Sequence, residues 1–292
     1  MEYLKAIILG IVQGATEFLP VSSSGHLSVF QHFMGISGEG SLTLTVFLHI
    51  GTLIAVIAVY YKIFLKLIKE MGLFIKDLFT GKLKGADISE DRHMLYMMVL
   101  SCVPLLFLFI PAGGGNNVKD IVEKLANDND ILVEGFCFFV TSMLLFLGTR
   151  ASRTRNDIRP RVEGKDAWWV GVAQVMAAAF PGISRSGSTI ATGMLRGVDK
   201  DYMVSYSFVL GTPAVLAASL VEMKDAFEGG AMALSVGPIA VGVVVAAITG
   251  IAAIKLLEWL VNKDKFNFFA YYCLILSVVV IAAGAYETFA TV

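Results

Sequence analysis

Long apolar stretches separated by short polar segments dominate the sequence. A helix needs about 20 apolar residues to cross a bilayer core of about 30 Å. Six stretches meet this length, namely 42–61, 93–111, 132–149, 202–222, 232–257 and 266–289. The pattern therefore predicts an all-α, polytopic integral membrane protein with six transmembrane helices.

Two further apolar regions, 2–35 and 167–197, are each interrupted in the middle by Pro, Ser and Gly residues. The interruptions are the segments 20–25 and 181–187, and they leave halves that are too short to span a bilayer comfortably. Broken backbone at membrane depth is tolerated only where protein covers it or where it lines a wet cavity. We therefore predict that each region forms a re-entrant helix pair.

The two interrupted regions resemble each other in sequence. An offset of 161 positions aligns Gly10 with Gly171, Gln13 with Gln174, Pro20 with Pro181, Ser23 with Ser184 and Phe47 with Phe208. Related halves of opposite direction form an inverted repeat, and its site lies where the broken helices meet near the midplane. We therefore expect the site to combine 13–26 with 184–189.

The repeat also predicts the domain organisation. We expect a single membrane domain over 1–292, with repeat one over about 2–111, repeat two over about 132–257 and a final span over 266–289.

The basic residues predict the orientation, because short cytoplasmic loops hold most Lys and Arg. Four segments on one side (62–92, 150–166, 196–201 and 255–265) hold 18 basic residues, whereas the other side holds 4. The richer side is therefore assigned to the cytoplasm, and both termini face outward. The first re-entrant pair then enters from outside and the second from inside, and the amphipathic stretch 63–80 is expected to form an interfacial cytoplasmic helix.

Composition agrees with membrane embedding. The chain is 56% hydrophobic and 16% charged, its mean hydropathy is +0.73 and its net charge is −1. Soluble, disordered and nucleic-acid-binding proteins carry more charge or a stronger basic excess. The three cysteines lie in apolar stretches at wide spacing, which argues against a disulfide framework and against a zinc cluster.

Two polar side chains in the first interrupted region need an explanation, because an ionisable group inside a membrane costs at least about 2.5 kcal/mol on insertion scales. Glu17 follows Gln13 by four residues, so both side chains project from the same face of a helix. A hydrogen bond between helices would explain Gln13 as well as a metal site does. For Glu17, metal or proton chemistry is the better explanation.

The break that follows Glu17 contains three hydroxyls and an imidazole. One of Ser22, Ser23 and Ser24 is expected to cap the next helix. His26 lies at the start of that helix, where an imidazole can act as base, acid or nucleophile near neutral pH. His49 lies in the middle of a span, and a hydrogen-bonded core histidine is its better interpretation.

The segment 182–189 has the composition of an anion site. It places Ser184, Ser186, Thr189, flexible glycines and Arg185 at the start of a helix, where backbone N–H groups favour anions. Arg185 alternatively pairs with Glu17, but one carboxylate would leave most of its five donors unused, so a phosphate fits better. No dinucleotide or P-loop fingerprint occurs, so a nucleotide is not implied. A carboxylate, a base, a hydroxyl and an anion cradle together indicate phosphoryl transfer from a lipid phosphate.

Two segments also resemble known signature motifs. QGATEFLPVSSSGH at 13–26 and PGISRSGST at 181–189 closely resemble the two motifs of the bacterial undecaprenyl-pyrophosphate phosphatases of the bacitracin-resistance type. The resemblance extends over nearly the whole chain, including its length, spans and inverted repeat. It implies hydrolysis of undecaprenyl pyrophosphate to undecaprenyl phosphate and inorganic phosphate at the outer face of the bacterial plasma membrane, which recycles the carrier lipid for cell-wall synthesis.

The resemblance also implies functions for individual residues. By position, the catalytic residues would be Glu17, Ser23, His26 and Arg185, and the pyrophosphate would contact Ser22, Ser184, Arg185, Ser186 and Thr189. Family members use a divalent cation, Mg²⁺ or Ca²⁺, which Glu17 and Gln13 would help to hold. Many members have Glu where this chain has Gln13, so the cation would depend more on Glu17 and on substrate oxygens. The resemblance leaves open whether Ser23, His26 or an activated water attacks.

The expected partner is a polyprenyl pyrophosphate lipid, and no nucleic acid is expected. Bacitracin would compete indirectly because it binds the same lipid, and a homodimer is left open. The alternative function is a polyprenyl-phosphate transporter or flippase, because inverted repeats with broken helices are the usual plan of transporters.

Overall fold

The computed structural model describes residues 2–34, 39–81, 88–113, 116–118, 131–180, 182–228 and 236–290. Ten α-helices form most of this part of the chain: α1 Glu2–Phe18, α2 Ser23–Met34, α3 Glu39–Thr80, α4 Glu90–Cys102, α5 Leu132–Thr154, α6 Gly164–Ala179, α7 Arg185–Leu195, α8 Lys200–Glu228, α9 Val236–Asn262 and α10 Asn267–Ala290. A 3₁₀ helix follows α4 at Val103–Phe109, and Pro111–Gly113 (β1) pairs antiparallel with Asn116–Asn117 (β2). The predicted all-α class is confirmed. Pro181 of the second motif lies outside the described residues.

The prediction of six membrane spans is also confirmed. Six helical segments are long and apolar enough to cross a bilayer, namely Leu44–Thr80, Glu90–Phe109, Leu132–Thr154, Lys200–Leu220, Val236–Asn262 and Asn267–Phe289. The second of these changes from α to 3₁₀ geometry at Val103 because Pro104 cannot donate the next helical hydrogen bond.

Helix α3 is longer than a single membrane crossing requires. Its 42 residues span about 63 Å at 1.5 Å per residue, which is about twice the thickness of a bilayer core. The predicted helix 63–80 is therefore the continuation of α3 beyond a kink at Tyr60, where φ is −102° and ψ is 23°. Arg92 of α4 holds this extension, because its guanidinium donates to Glu70 and Asp77 over 2.9 and 2.7 Å.

Each interrupted region forms two helices, as the sequence predicts. α1 packs on α2, and α6 packs on α7. The two pairs then make equivalent contacts with the opposite half of the chain, because α1 packs on α9 whereas α6 packs on α4 and the 3₁₀ helix. A side chain at Gly10 would overlap the backbone of α9, and one at Gly171 would overlap the backbone of α4. The membrane depth of the pairs, the opposite direction of the halves and the repeat boundaries stay predictions.

The main hydrophobic core is built around the centre of α8 and includes residues of both helix pairs. Tyr206 and Phe208 of α8 are buried there with Ile190 of α7 and Ile254 of α9. The Tyr206 hydroxyl hydrogen-bonds the Ser101 hydroxyl of α4 at 2.9 Å, so its polar end is satisfied in the core. Packing in this core holds both helix pairs in place against α8 and α9.

A buried carboxylate fixes the start of α6 and the end of α7. Asp166 is fully buried, and it accepts hydrogen bonds from Arg159, from Nε of Arg196 and from the backbone N–H of Glu163. Burial alone would raise the pKa of Asp166, but the hydrogen bonds from Arg159 and from the Glu163 N–H hold this pKa below its usual value. The charged form of Asp166 therefore stabilises the fold.

We expect Asp166→Asn to lower the free energy of unfolding by about 2 kcal/mol, because it weakens several hydrogen bonds between charged groups. The advantage of wild type over the mutant should be complete above the unfolded-state pKa of about 3.9. It should be lost as the pH falls through the lower folded-state pKa. Thermal unfolding in detergent across a pH series measures both effects.

The matched control is Asp157→Asn, which removes an exposed carboxylate that pairs with Arg155. This variant should unfold close to the wild-type temperature. Equal destabilisation by both substitutions would contradict a special contribution from Asp166.

Candidate active site

The starts of two helices converge on one cavity. Ser22, Ser23 and Ser24 at the start of α2 line it from one side, and Ser184, Arg185 and Ser186 at the start of α7 line it from the other. Its volume is about 90 Å³. The structure thus brings together the two segments from which the sequence predicts a site.

Serine side chains shape the two helix starts. The Ser22 hydroxyl accepts from the Gly25 N–H at 3.2 Å, and the Ser184 hydroxyl accepts from the Gly187 N–H at 3.0 Å. Both serines therefore act as N-caps, as predicted for one of the first three. Ser22 does so with a φ of 73°, a left-handed conformation that is uncommon for a residue other than glycine and is frequent at functional sites.

The two breaks contact each other directly. The Gly182 N–H donates to the Ser24 hydroxyl at 3.2 Å, and the Ser186 hydroxyl donates to the Leu19 carbonyl at 3.4 Å. From α5, the Thr141 hydroxyl accepts from the Ser184 N–H at 3.1 Å and holds the second break in place. The cavity is therefore a joint product of both interrupted regions.

Glu17 at the end of α1 is the central group of the cavity. Its carboxylate is buried, with 9% of the residue exposed. One oxygen, Oε1, accepts from Nη2 of Arg185 at 2.9 Å. The other, Oε2, accepts from the Ser23 hydroxyl at 2.7 Å and from Nε2 of Gln13 at 3.0 Å. Glu17 thus connects α1 with the starts of both α2 and α7.

Arg185 keeps donors available beside this ion pair. Its bond to Glu17 uses Nη2, and no other side-chain hydrogen bond of Arg185 occurs within the described chain. The guanidinium lies directly against the backbone of Gly211 in α8, where the Cβ of any other residue would overlap Nη1. Because Arg185 also lines the cavity, its guanidinium keeps N–H groups that can donate to an anion such as phosphate.

The electrostatics favour an anionic ligand on the side of the helix starts. Two helix N-termini, each equivalent to roughly half a positive charge, and the Arg185 guanidinium face the cavity. Glu17 offsets one positive charge, so a pyrophosphate would leave the site with excess negative charge. A divalent cation would neutralise this excess.

Two oxygen-bearing side chains are candidates to hold such a cation, Glu17 in the cavity lining and Gln13 buried beside it. Oε1 of Gln13 is buried without a hydrogen-bond partner, and the Glu17 carboxylate lies beside the same amide. Mg²⁺ is commonly bound through one or two protein oxygens together with substrate phosphates and water. Among the described residues, no cluster of three or more His, Cys, Asp or Glu forms a metal site made by protein alone. A cation at Glu17 and Gln13 would therefore complete its shell with substrate oxygens.

His26 faces a different environment. Its Nδ1 lies 2.7 Å from the Ser22 carbonyl oxygen and its Nε2 lies 2.7 Å from the Tyr272 hydroxyl. The ring stacks nearly parallel to Tyr272 and meets Phe138 edge-on. Both ring nitrogens are thus engaged, and His26 stands behind the serine segment instead of lining the cavity.

Thr189 also lies away from the cavity. Its hydroxyl is fully buried, lies 2.6 Å from the Ser207 hydroxyl and donates to the Arg185 carbonyl four residues earlier. This arrangement joins α7 to α8 and leaves the hydroxyl turned away from a ligand beside Arg185. A direct contact between Thr189 and pyrophosphate stays a prediction that this geometry does not favour.

Two residues near the site were not expected from the sequence. Nε2 of His49 lies 3.9 Å from Oε2 of Glu17, and Nδ1 of His49 lies 3.0 Å from the Thr45 carbonyl. For His49, the one indication in the sequence is that a histidine lies in the middle of a predicted span. No sequence feature indicates Tyr272, because it lies in the final span, 246 residues from its partner His26.

Comparisons with known proteins match nearly the whole chain. The family described as "Bacitracin resistance protein BacA" matches residues 6–279. An undecaprenyl-diphosphatase of Halothermothrix orenii is 37% identical over 287 residues, 98% of this chain and 100% of that protein. Proteins of the same name from Methanobrevibacter smithii and Bacteroides fragilis are 36% and 33% identical, over 96% and 97% of this chain and 97% and 99% of theirs.

We expect Gly211→Ala to displace the Arg185 guanidinium, because the new methyl group would occupy the position of Nη1. Inorganic pyrophosphate should then bind at least about ten-fold more weakly, which corresponds to the loss of one charge-assisted hydrogen bond. Isothermal titration of the purified protein with pyrophosphate measures this change.

Gly72→Ala is the matched control, because nothing lies within 4 Å of a side chain at this exposed helical position. It should bind pyrophosphate as wild type does. Unchanged binding by Gly211→Ala would contradict the assignment of Arg185 to the anion site.

Proposed function

Because the chain belongs to the bacitracin resistance protein BacA family, we propose that it hydrolyses undecaprenyl pyrophosphate to undecaprenyl phosphate and inorganic phosphate. Relatives that match nearly all of its length carry the name undecaprenyl-diphosphatase. The observation that carries the proposal is the pairing of Glu17 with Ser23 and Arg185 at one cavity between two helix starts. This arrangement offers an anion cradle, a nucleophile and a proton acceptor within contact distance.

The cradle would hold the terminal phosphate and stabilise the developing charge. Hydrolysis of a diphosphate depends mainly on positioning and charge neutralisation. Arg185 would transfer part of its hydrogen bonding from Glu17 to phosphate oxygens, with the N–H groups at the starts of α2 and α7 on either side. Ser22, Ser184 and Ser186 would orient the same group, because their hydroxyls line the cavity.

The geometry favours Ser23 as the nucleophile. Its hydroxyl already donates to Oε2 of Glu17 at 2.7 Å, so this carboxylate can accept the proton as Oγ attacks. Oγ would form a bond to the terminal phosphorus while the bridging P–O bond breaks and undecaprenyl phosphate leaves. Water would then hydrolyse the phosphoserine, which releases inorganic phosphate and restores the hydroxyl.

His26 would support this chemistry as a positioning residue. Its ring contacts the Ser22 carbonyl and the Tyr272 hydroxyl, and Ser22 precedes the nucleophile. The bond to Ser22 would maintain the left-handed conformation from which α2 begins. His26 therefore acts on the helix start, whereas Glu17 acts on the proton of Ser23.

A divalent cation, Mg²⁺ or Ca²⁺, is part of the proposal. Glu17 and Oε1 of Gln13 would hold it, and it would supply neutralisation of the pyrophosphate charge. Because Gln13 is neutral, Glu17 contributes the one protein charge of this ligand set.

The cellular setting proposed for the enzyme follows from the lipid substrate. The polyprenyl tail would stay among the membrane helices while the pyrophosphate enters the cavity from the outer face of the plasma membrane. Turnover would recycle the carrier lipid and would deplete the pyrophosphate form that bacitracin binds. A higher cellular amount of the protein would therefore raise resistance to bacitracin. The homodimer stays a prediction.

Arg185→Ala and Glu17→Gln should each lower phosphate release at least about 100-fold, because each removes a group that stabilises the transition state. Release from undecaprenyl pyrophosphate by purified protein, with Mg²⁺ and with chelator, measures this loss. Wild-type release should stop with chelator, and the exposed variant Arg161→Ala should retain full activity. Transport of lipid phosphate without phosphate release by folded wild-type protein would favour the flippase alternative instead.

A trapping experiment distinguishes the nucleophiles. Rapid acid quenching with substrate labelled at the terminal phosphate should leave acid-stable label on Ser23, because phosphoserine survives acid whereas phosphohistidine survives base but not acid. The label should be absent in Ser23→Ala and present, though formed more slowly, in His26→Ala. Label on His26 after base quenching, or full turnover by Ser23→Ala, would contradict the proposed chemistry.

A further inference from the structure

A second, larger cavity lies between α5 and α10, at the end of α5 and the start of α10. Its volume is about 400 Å³. Phe146, Leu147 and Tyr271 form its apolar wall, and Arg150, Arg153 and Asn267 form its polar end. We call these six residues the basic groove.

Two side chains at the polar end of the basic groove, Arg150 and Asn267, have donors without a partner among the described residues. Within the described ranges, the Arg150 guanidinium and the Asn267 amide make no side-chain hydrogen bond. Arg150 is exposed, and its pairing with a carboxylate is likewise not seen in these ranges. A groove that combines such donors with an aromatic wall suits a ligand with one anionic and one apolar end.

The surrounding charges add to the attraction for an anion. Arg153 donates to Asp264 at 3.0 Å and Lys200 donates to the same carboxylate at 2.9 Å, so two cations share one anion. Together with Arg150, this cluster has a net charge of about +2. Phosphate of a lipid headgroup complements such a cluster.

The basic groove is separate from the active site. Thr141 of α5 holds Ser184 of the catalytic cavity. Arg150 lies on the same helix about 13 Å farther along, at 1.5 Å per residue. This end of α5 belongs to the side that the basic residues assign to the cytoplasm. The groove therefore lies at the height of headgroups in the leaflet opposite the proposed catalytic opening.

The apolar wall faces outward from the helix bundle. Leu147 and Tyr271 are each 53% exposed. The Phe146 and Tyr271 rings meet edge-on, with their centroids 4.9 Å apart. In a membrane this wall lies against acyl chains, and it continues directly into the polar end. We propose that the basic groove binds an anionic glycerophospholipid. Its phosphate would lie between Arg150 and Asn267, and the part of an acyl chain nearest the headgroup would lie against Phe146 and Tyr271.

The test compares lipids retained by the purified protein. Full-length protein is reconstituted in mixed phosphatidylglycerol and phosphatidylcholine, extracted into detergent and examined by native mass spectrometry. Wild type should retain phosphatidylglycerol in preference to phosphatidylcholine. Arg150→Gln should reduce this preference about five-fold, the effect of one basic residue near a membrane surface. Arg161→Gln, an equal charge change outside the groove, should leave the preference unchanged.

Two competition experiments identify which phosphate compound the basic groove binds. Excess inorganic phosphate should not displace the retained phosphatidylglycerol, and neither should undecaprenyl phosphate at an equal concentration. Displacement by either compound would overturn the assignment to a glycerophospholipid, as would equal retention of both lipids by wild type. In phosphatidylcholine alone, wild type, Arg150→Gln and Arg161→Gln should unfold at the same temperature. A lower value for Arg150→Gln, with the lipid preference intact, would overturn the proposal in favour of a structural arginine.

Discussion

The cost of burying charge among apolar helices determines the arrangement of this protein. An isolated Glu17 or Arg185 among apolar helices would be strongly unfavourable, so each needs the other and several hydroxyls. Their hydrogen bond, at 2.9 Å, joins the end of α1 to the start of α7. Because each helix belongs to a different interrupted region, neither half can build the site alone. The broken backbone around this pair then finds its partners in the opposite break.

The same constraint explains why the site suits a pyrophosphate lipid. Pairing uses one of the nitrogens of Arg185, and the first residues of α2 and α7 line the cavity. Charge is thereby arranged before the ligand arrives, which is the main requirement for electrostatic catalysis. Gly211 contributes by having no side chain, since its backbone is the surface on which the guanidinium rests.

Much of this architecture is predictable from the sequence. Apolar length predicts the spans, and Pro, Ser and Gly predict the breaks, because both depend on local chemistry. The kink of α3 at Tyr60 and the contact of His26 with Tyr272 depend on packing between distant segments, so no local pattern indicates them. For Thr189, the sequence predicts a contact with pyrophosphate. In the structure its hydroxyl instead donates to the Arg185 carbonyl and contacts the Ser207 hydroxyl, because a Thr side chain within a helix can bond to the backbone of the preceding turn.

If one pyrophosphate group occupies the cavity between the starts of α2 and α7, a bound substrate analogue should show it there. The experiment is a structure of the protein with a non-hydrolysable methylene-bisphosphonate analogue of the lipid. We expect the terminal phosphonate to contact Arg185 and to lie next to the Ser23 hydroxyl, with the tail leaving toward the outer leaflet. A bisphosphonate bound elsewhere, with the Glu17–Arg185 bond and the cavity unchanged, would contradict this expectation.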